Sequence, residues 1–592
     1  MSDKIAVSSE SPAIEVAAPS TSLRGLQLRE IVLRLLAEIR RILARDLAAL
    51  LFFAVVSLAA MYPVLQAPRS QVIGIPGDNI QYTYMTGWVA QSVLLGQSPL
   101  VDPRLNYPDD LALPATDAPF ISMLAVAPAT WLLGPVFGYN LLLFATYLLS
   151  GYFTYLWVRR LTGSRAGGVA AGFGFMLMPF HVIRSYGNPQ LLSTQMFPLF
   201  FWALDNTLHA DPPTLRDLRL LGIATFLLGC MSQYYLVIGL VAGGFYALFT
   251  LVPHMSYVVR NGWAIIARVF FASLVAMLPY LTILNAGVYE PYNIGRTRVW
   301  SAEPLNFVLP LPFHPLWGSL TAQINPDPYW GEKSLYVGVV TGILALVALL
   351  WPRSPYRRRN LVWAGVALVA AIFALGPDLH WKGESLSLRD PLWLPAYYLA
   401  KLPMVNILRV WSRFGVITLL FVMLLAGVAV AQLFDRFGRR FAPVFAVLIA
   451  LIAIDFLPGR LDSIHLGPRP IDLWLARQPD DFAVAFLPPN NDVATYRSMF
   501  GSLFHSKQLP AFNHPNHQSR SYRDFARIAE DLPSRRSIEE LRRLGYRYLV
   551  FDRALYSGWR APAWEEVEPA LRRSADLQIV DEVEGFVIVA FK

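Results

Sequence analysis

About eleven apolar stretches, several of them close to the length that crosses a bilayer, constrain this chain more than any motif does. They run near 47–64, 139–158, 166–180, 191–207, 220–233, 236–252, 265–284, 334–351, 361–376, 412–432 and 441–457. A helix rises 1.5 Å per residue, so about 20 apolar residues cover a hydrocarbon layer of ~30 Å. The stretches recur through three quarters of the sequence, which predicts a polytopic α-helical membrane protein. Composition agrees, with 55% hydrophobic and only 15% charged residues, against roughly 25% charged in soluble chains. Intrinsic disorder of the whole chain, a fibrous repeat and a disulfide scaffold are excluded. Cys230 is the single cysteine.

Charge sets the expected topology. The net charge of +9 would point to nucleic acid in a soluble protein, but here the arginines flank apolar stretches and predict no nucleic-acid partner. Arg159, Arg160 and Arg165; Arg216 and Arg219; Arg260 and Arg268; Arg353 with Arg357–Arg359; and Arg436, Arg439 and Arg440 all fall on one side if 119–136 does not cross. By the positive-inside rule that side is cytoplasmic. Residues 119–136 then form a juxtamembrane or re-entrant segment on the outer face. The long loops 65–118, 286–333 and 377–411 all lie outside and suggest a built outer cavity.

The ends of the chain read differently. Residues 1–22 resemble a disordered cytoplasmic tail, and no signal peptide is visible. Residues 23–46 carry Arg29, Arg34, Arg40, Arg41 and Arg45 among leucines and isoleucines. That pattern predicts an amphipathic helix on the cytoplasmic membrane surface, or a soluble extension of the first span. After 457 the composition turns soluble, with 36 charged residues among 135, about 27%. Strand patterns at 482–487, 546–551, 577–580 and 585–590, and a helix closing at Gly545, predict a small extracytoplasmic α/β domain over 458–592.

No GxxxxGK[ST], HExxH, GxSxG or CxxC motif is present, so the corresponding ATPase, zincin, hydrolase and thioredoxin readings lack support. His514 and His517 have HxxH spacing near His505, but a lone pair in a Pro/Asn loop reads as surface, and no metal site is assigned.

Candidate chemistry gathers on the expected outer face. Asp78 follows a Pro-Gly turn and precedes the aromatic helix pattern Tyr82, Tyr84 and Trp88; Asp109 and Asp110 follow in Pro-rich turns. His181, Arg184 and Asn188 lie at the outer end of the third span, Tyr234 and Tyr235 at the next outer turn. Glu290, His314 and Glu332 occupy the second long outer loop. Arg409 and Arg413, spaced i,i+4, would present two guanidiniums together on a helix, the geometry that clamps phosphate by bidentate hydrogen bonds. Ion pairing with an acidic residue across the loop, or with lipid headgroups, is the alternative. A carboxylate, arginines and aromatic rings around one cavity suit glycosyl transfer from a phosphate-linked donor.

The layout resembles the GT-C superfamily of polytopic glycosyltransferases over roughly 45–460. The similarity rests on the early outer acidic residue Asp78, the outer segment 119–136, the span ending Tyr155–Gly163 (YLWVRRLTG), and the stretches Leu305–Trp317 and Leu402–Phe414 (LPMVNILRVWSRF). It implies a bacterial cytoplasmic-membrane enzyme with a polyprenyl-phosphate-linked sugar donor. The acceptor would be a lipid, glycan or protein. By family practice the catalytic base lies in the first outer loop, which maps to Asp78. Gly77 and Asn79 flank it where the family pairs acids, whereas Asp109-Asp110 do form a pair. Asp78 is preferred because a base must reach the cavity floor near the membrane. No cofactor is required by the sequence, and a divalent cation remains compatible. A catalytically inactive scaffold or a lipid-linked saccharide transporter is the rival expectation.

Overall fold

Uninterrupted apolar sequence between glycine, proline and arginine punctuation forms helices, and these dominate the structure. It is a computed structural model and describes residues 44–252, 254–280, 294–381, 384–386, 393–402, 405, 408–512, 518–559 and 561–592. The chain divides into two units, 1–52 and 53–592. Of the first, residues 44–52 are described, and they are helical. The expected tail and nearly all of the expected surface helix lie outside the described residues, as do Glu290, His514 and His517.

Each of the eleven apolar stretches falls largely on a helix. Among the described residues, four helical stretches are long and apolar enough to cross a membrane: Pro135–Thr162, Gln233–Leu251, Ser256–Tyr280 and Trp411–Asp455. The helices at Phe120–Leu133 and Val339–Leu350 are apolar but shorter. Helix Pro135–Thr162 begins with proline, whose missing N–H costs nothing at that position, and ends with Arg159 and Arg160 in its last turn, where cations favour the helix dipole.

Helix Gly415–Phe437 is almost wholly buried and packs against Arg165–Leu177, Val339–Leu350 and Arg357–Ala374. Close approach is possible because facing residues are small. A Cβ at Gly172 would stand 2.3 Å from the Gly151 carbonyl oxygen, and one at Gly167 would stand 2.5 Å from that of Gly427.

The loops segregate by end. On the end rich in arginine, Arg260 pairs with Asp211 at 2.6 Å and Arg359 with Asp205 at 3.3 Å, while Arg358 donates to the Thr250 carbonyl at 2.8 Å. The long loops meet at the opposite end. There Gln71–Ile73 pairs antiparallel with Ser463–His465, and helix Asp78–Leu94 packs against helix Asp492–His505.

The C-terminal residues form a mixed four-stranded sheet in the order Ala483–Leu487, Tyr546–Asp552, Phe586–Phe591, Leu577–Val583. The first pair is parallel and the other two antiparallel. The four strands expected from the sequence are these four. Helices Arg520–Glu530, Arg535–Arg543 and Trp564–Arg573 cover one face around Phe525, Leu541, Leu549 and Val587. Arg104 Nη1 donates to the Ser502 carbonyl at 3.0 Å and Tyr107 Oη to the Leu544 carbonyl at 2.7 Å. The first long loop is thereby bound to the C-terminal layer.

Candidate active site

Asp78 opens helix Asp78–Leu94, just after an extended Gly77. Its neighbour Asn79 organises the turn, donating to the Ile73 carbonyl at 2.9 Å and accepting the Gly77 N–H at 3.1 Å. A second acid at position 79 could not donate that bond when ionised, which explains why no acidic pair stands here. The helix then buries Tyr82, Tyr84 and Trp88.

The segment 181–190 crosses directly beneath. Gly187 has φ of +143°, and a Cβ there would lie 2.7 Å from the Asn79 nitrogen and 3.1 Å from the Asp78 Cβ. Only glycine meets both demands without strain. Asn188 is thus delivered to Asp78, and its Nδ2 donates to Asp78 Oδ2 at 3.1 Å. Asn188 Oδ1 accepts from Arg184 Nη1 at 3.4 Å.

Arg184, only 2% exposed, grips Glu332 with both terminal nitrogens, at 3.1 and 2.6 Å. Arg413 takes the same carboxylate from another side at 3.3 and 3.4 Å and lies 4.5 Å over the Tyr234 ring. The Tyr234 hydroxyl accepts the backbone N–H of Arg409 at 3.4 Å. One connected network therefore joins Asp78, Asn188, Arg184, Glu332, Arg413, Tyr234 and the Arg409 backbone. Each of the three long loops expected to lie outside, and each of two shorter connections at the same end, supplies a member.

Charge is distributed to match. The buried Arg184 and the largely buried Arg413 share one carboxylate, leaving a net single positive charge. They hold the Glu332 carboxyl far below its usual value despite burial. The Arg409 side chain is exposed and makes no ion pair among the described residues. Asp78 reaches solvent, yet dense protein around it raises its carboxyl above the ordinary 3.8. The Asn188 hydrogen bond opposes that rise, Glu332 and Asp492 add to it, and Arg413 opposes it.

Other expected members stand elsewhere. His181 and Arg184 do share the helix Pro179–Arg184, but their side chains part. The buried His181 ring uses Nδ1 on the Met176 carbonyl at 2.9 Å and Nε2 on Thr194 Oγ1 at 2.5 Å. Tyr235 points into the core, its hydroxyl donating to the Leu191 carbonyl. His314 meets the Ile454 carbonyl at 3.1 Å and accepts the N–H groups of Leu316 and Trp317, closing its own turn. Asp109 and Asp110 are exposed in a turn tied by the Asn106 amide. Arg409 and Arg413 do not share an α-helix, because Arg409 precedes the 3-10 turn Trp411–Phe414. Both instead converge on Tyr234.

Asp117 was not singled out by the sequence reading. It accepts the Ser232 hydroxyl at 2.5 Å and the Gln233 N–H at 2.9 Å, capping helix Gln233–Leu251 beside Tyr234. Burial pushes its carboxyl up to about 6, against those two hydrogen bonds and Arg413. The available signal was a lone acid between a Pro-rich turn and an apolar helix. Among the described residues no three His, Cys, Asp or Glu side chains converge as a metal site.

The mycobacterial arabinofuranosyltransferase AftD, solved by cryo-electron microscopy, is similar in structure at 15% identity and a TM-score of 0.54. The match covers 92% of this chain and 40% of AftD, so this chain spans less than half of that protein. ArnT from Cupriavidus metallidurans, crystallised bound to undecaprenyl phosphate, is similar at 12% identity and a TM-score of 0.50, over 92% of this chain and 98% of ArnT. Both are GT-C proteins, and the likeness establishes that fold here. Comparison with curated proteins gives no sequence match. The family model described as a domain of unknown function, DUF6311, matches residues 46–457. With more than two thirds of its length in that match, this chain belongs to the DUF6311 family.

Proposed function

We propose that this protein is a membrane glycosyltransferase that moves a sugar from a polyprenyl-phosphate donor to an acceptor hydroxyl on the outer side of the cytoplasmic membrane. The carrying observation is the continuous network from the Asp78 carboxylate to the Arg184–Glu332–Arg413 cluster. It sets a base beside a cationic centre that retains one net positive charge. The structural similarity to ArnT, a protein crystallised with undecaprenyl phosphate, supports the donor class. We read the eleven apolar helices as spans, and the C-terminal sheet as an outer domain.

In this reading the Asp78 carboxylate accepts the acceptor hydroxyl's proton while that oxygen attacks the anomeric carbon. The bond from that carbon to the phosphate oxygen breaks, and the polyprenyl phosphate leaves with the bonding electron pair. A single displacement inverts the anomeric centre. Arg184 and Arg413, prepositioned by Glu332, face the charge that grows on the phosphate, and the exposed Arg409 adds a further cation. The raised Asp78 carboxyl makes it a stronger base than an ordinary aspartate.

The test is transfer in proteoliposomes supplied with labelled polyprenyl-phosphate sugars. Wild type should form product, and Asp78→Asn should lose about 10²–10⁴-fold in rate with its fold intact. Equal rates in the two proteins would remove Asp78 from the chemistry. No turnover and no binding of any donor would remove the transferase reading.

A further inference from the structure

A cleft of about 450 Å³ opens in the C-terminal layer, within the range of roughly 300–1,000 Å³ that small-molecule sites occupy. Three backbone features form it: the N-terminal turn of helix Asp492–His505, the end of strand Tyr546–Asp552 and the start of strand Phe586–Phe591. The sequence reading placed no function here.

Its walls are built rather than incidental. Arg469 is fixed by both oxygens of Asp472, at 2.8 and 3.0 Å, and lies 5.4 Å from the Phe586 ring centre. Arg497 is partly buried and makes no ion pair among the described residues. A partly desolvated guanidinium without an ion-pair partner keeps N–H donors at the cleft that a ligand's oxygens can complete. Across the cleft stand Asp492 and Asp552, with one Asp552 oxygen accepting the Ala554 N–H at 3.1 Å. Arg469 is already neutralised by Asp472, and Arg497 is matched by Asp492 and Asp552, so the cleft carries no positive excess to select an anion. Donors, acceptors and an aromatic ring together match hydroxyl-rich molecules with apolar faces.

The cleft is also coupled to the proposed active site. Asp492 lines it and is among the charges that raise the Asp78 carboxyl. Helix Asp492–His505 packs on the helix that Asp78 begins.

We infer that this cleft binds the acceptor, a neutral hydroxyl-rich saccharide, through Arg497, Asp492, Asp552 and Phe586, with its reacting end directed toward Asp78. The acceptor role rests on the glycosyl-transfer reading above; saccharide binding does not. The experiment is therefore donor-free. Purified full-length protein in nanodiscs is titrated with neutral mono- to tetrasaccharides of hexoses, pentoses and N-acetylhexosamines, followed by saturation-transfer NMR. Uronate- and phosphate-bearing counterparts are run in parallel.

At least one neutral saccharide should bind wild type. Arg497→Ala and Asp492→Asn should each weaken it tenfold or more, while the exposed Glu539→Gln should leave it unchanged. Asp492→Asn keeps size and helix position, so the test stands even if Arg497→Ala folds poorly. Binding that survives both substitutions overturns the assignment, as does binding of anionic saccharides alone or of none. Saccharide binding by a protein that neither binds nor turns over any donor would keep the cleft and discard the transferase.

Discussion

Glu332→Gln is the most informative single change in the network. The carboxylate receives four guanidinium contacts between 2.6 and 3.4 Å. Its two partners are 2% and 12% exposed, and Glu332 itself 21%. The amide keeps one acceptor oxygen, turns the other position into a donor facing guanidinium N–H groups, and leaves two buried like charges together. Removing one partner of a buried ion pair costs about 3–5 kcal/mol. The partial exposure of Glu332 lets solvent in and places the expectation near the lower end. A loss of ~3 kcal/mol is roughly a 100-fold shift in the folding equilibrium.

The pH dependence has a defined sign. The folded Glu332 carboxyl is depressed from its ordinary 4.5, so its contribution is complete above that value and is lost as pH falls toward the folded value. Denaturant titration of the detergent-purified protein, read by tryptophan fluorescence, should show the stability loss at pH 7. The wild-type acid slope should be reduced in the variant. Polyprenyl phosphate should stabilise the variant more than wild type, because an anion on the freed arginines binds only the folded state. Occupancy at 100 times Kd would return about 2.7 kcal/mol. Unchanged stability at pH 7 would refute the clamp, and equal stabilisation by the lipid would refute the phosphate placement.

Three further outcomes are expected. Asn188→Ala deletes the bond that stabilises the Asp78 carboxylate, so the acid limb of kcat/KM should move to higher pH; an unmoved limb would separate Asn188 from the titrating group. Gly187→Ala places a Cβ 2.7 Å from the Asn79 nitrogen at a φ of +143° and should cost about 1–3 kcal/mol and lower transfer together, read by denaturation and rate; wild-type values for both would contradict the close approach. Arg409→Ala should weaken donor binding about tenfold, yet shift stability by no more than ~0.5 kcal/mol, since its side chain is exposed; unchanged donor affinity would take Arg409 out of the phosphate path.

Much of the site was legible because burial of ionisable groups near a membrane is expensive. Asp78, Arg184, Asn188, Tyr234, Glu332, Arg409 and Arg413 were each visible as polar residues at the ends of apolar stretches, and they do meet. Their partnerships were not visible. Arg184 and Glu332 are 148 residues apart, and sequence spacing carries no information on such a contact. The helix expected to align Arg409 with Arg413 gives way to a 3-10 turn, because packing of Trp411 and Phe414 against Phe373 overrides local preference. His181, Tyr235 and His314 have residue types suited to a site, yet their polar atoms are consumed by backbone groups and, for His181, also by the Thr194 hydroxyl.

Sequence by itself determined what periodicity and solvent preference can determine: which apolar stretches are helices, where arginine sets an end, and which four runs form the C-terminal sheet. These follow from local hydrogen bonding and from the cost of exposing apolar surface. Tertiary structure alone decided that Glu332 sits between two arginines, that Gly187 delivers Asn188 to Asp78, and that helix Asp492–His505 reaches back to the first loop. Those outcomes depend on charges and surfaces brought together across hundreds of residues, where the energy lies in the meeting and not in either segment.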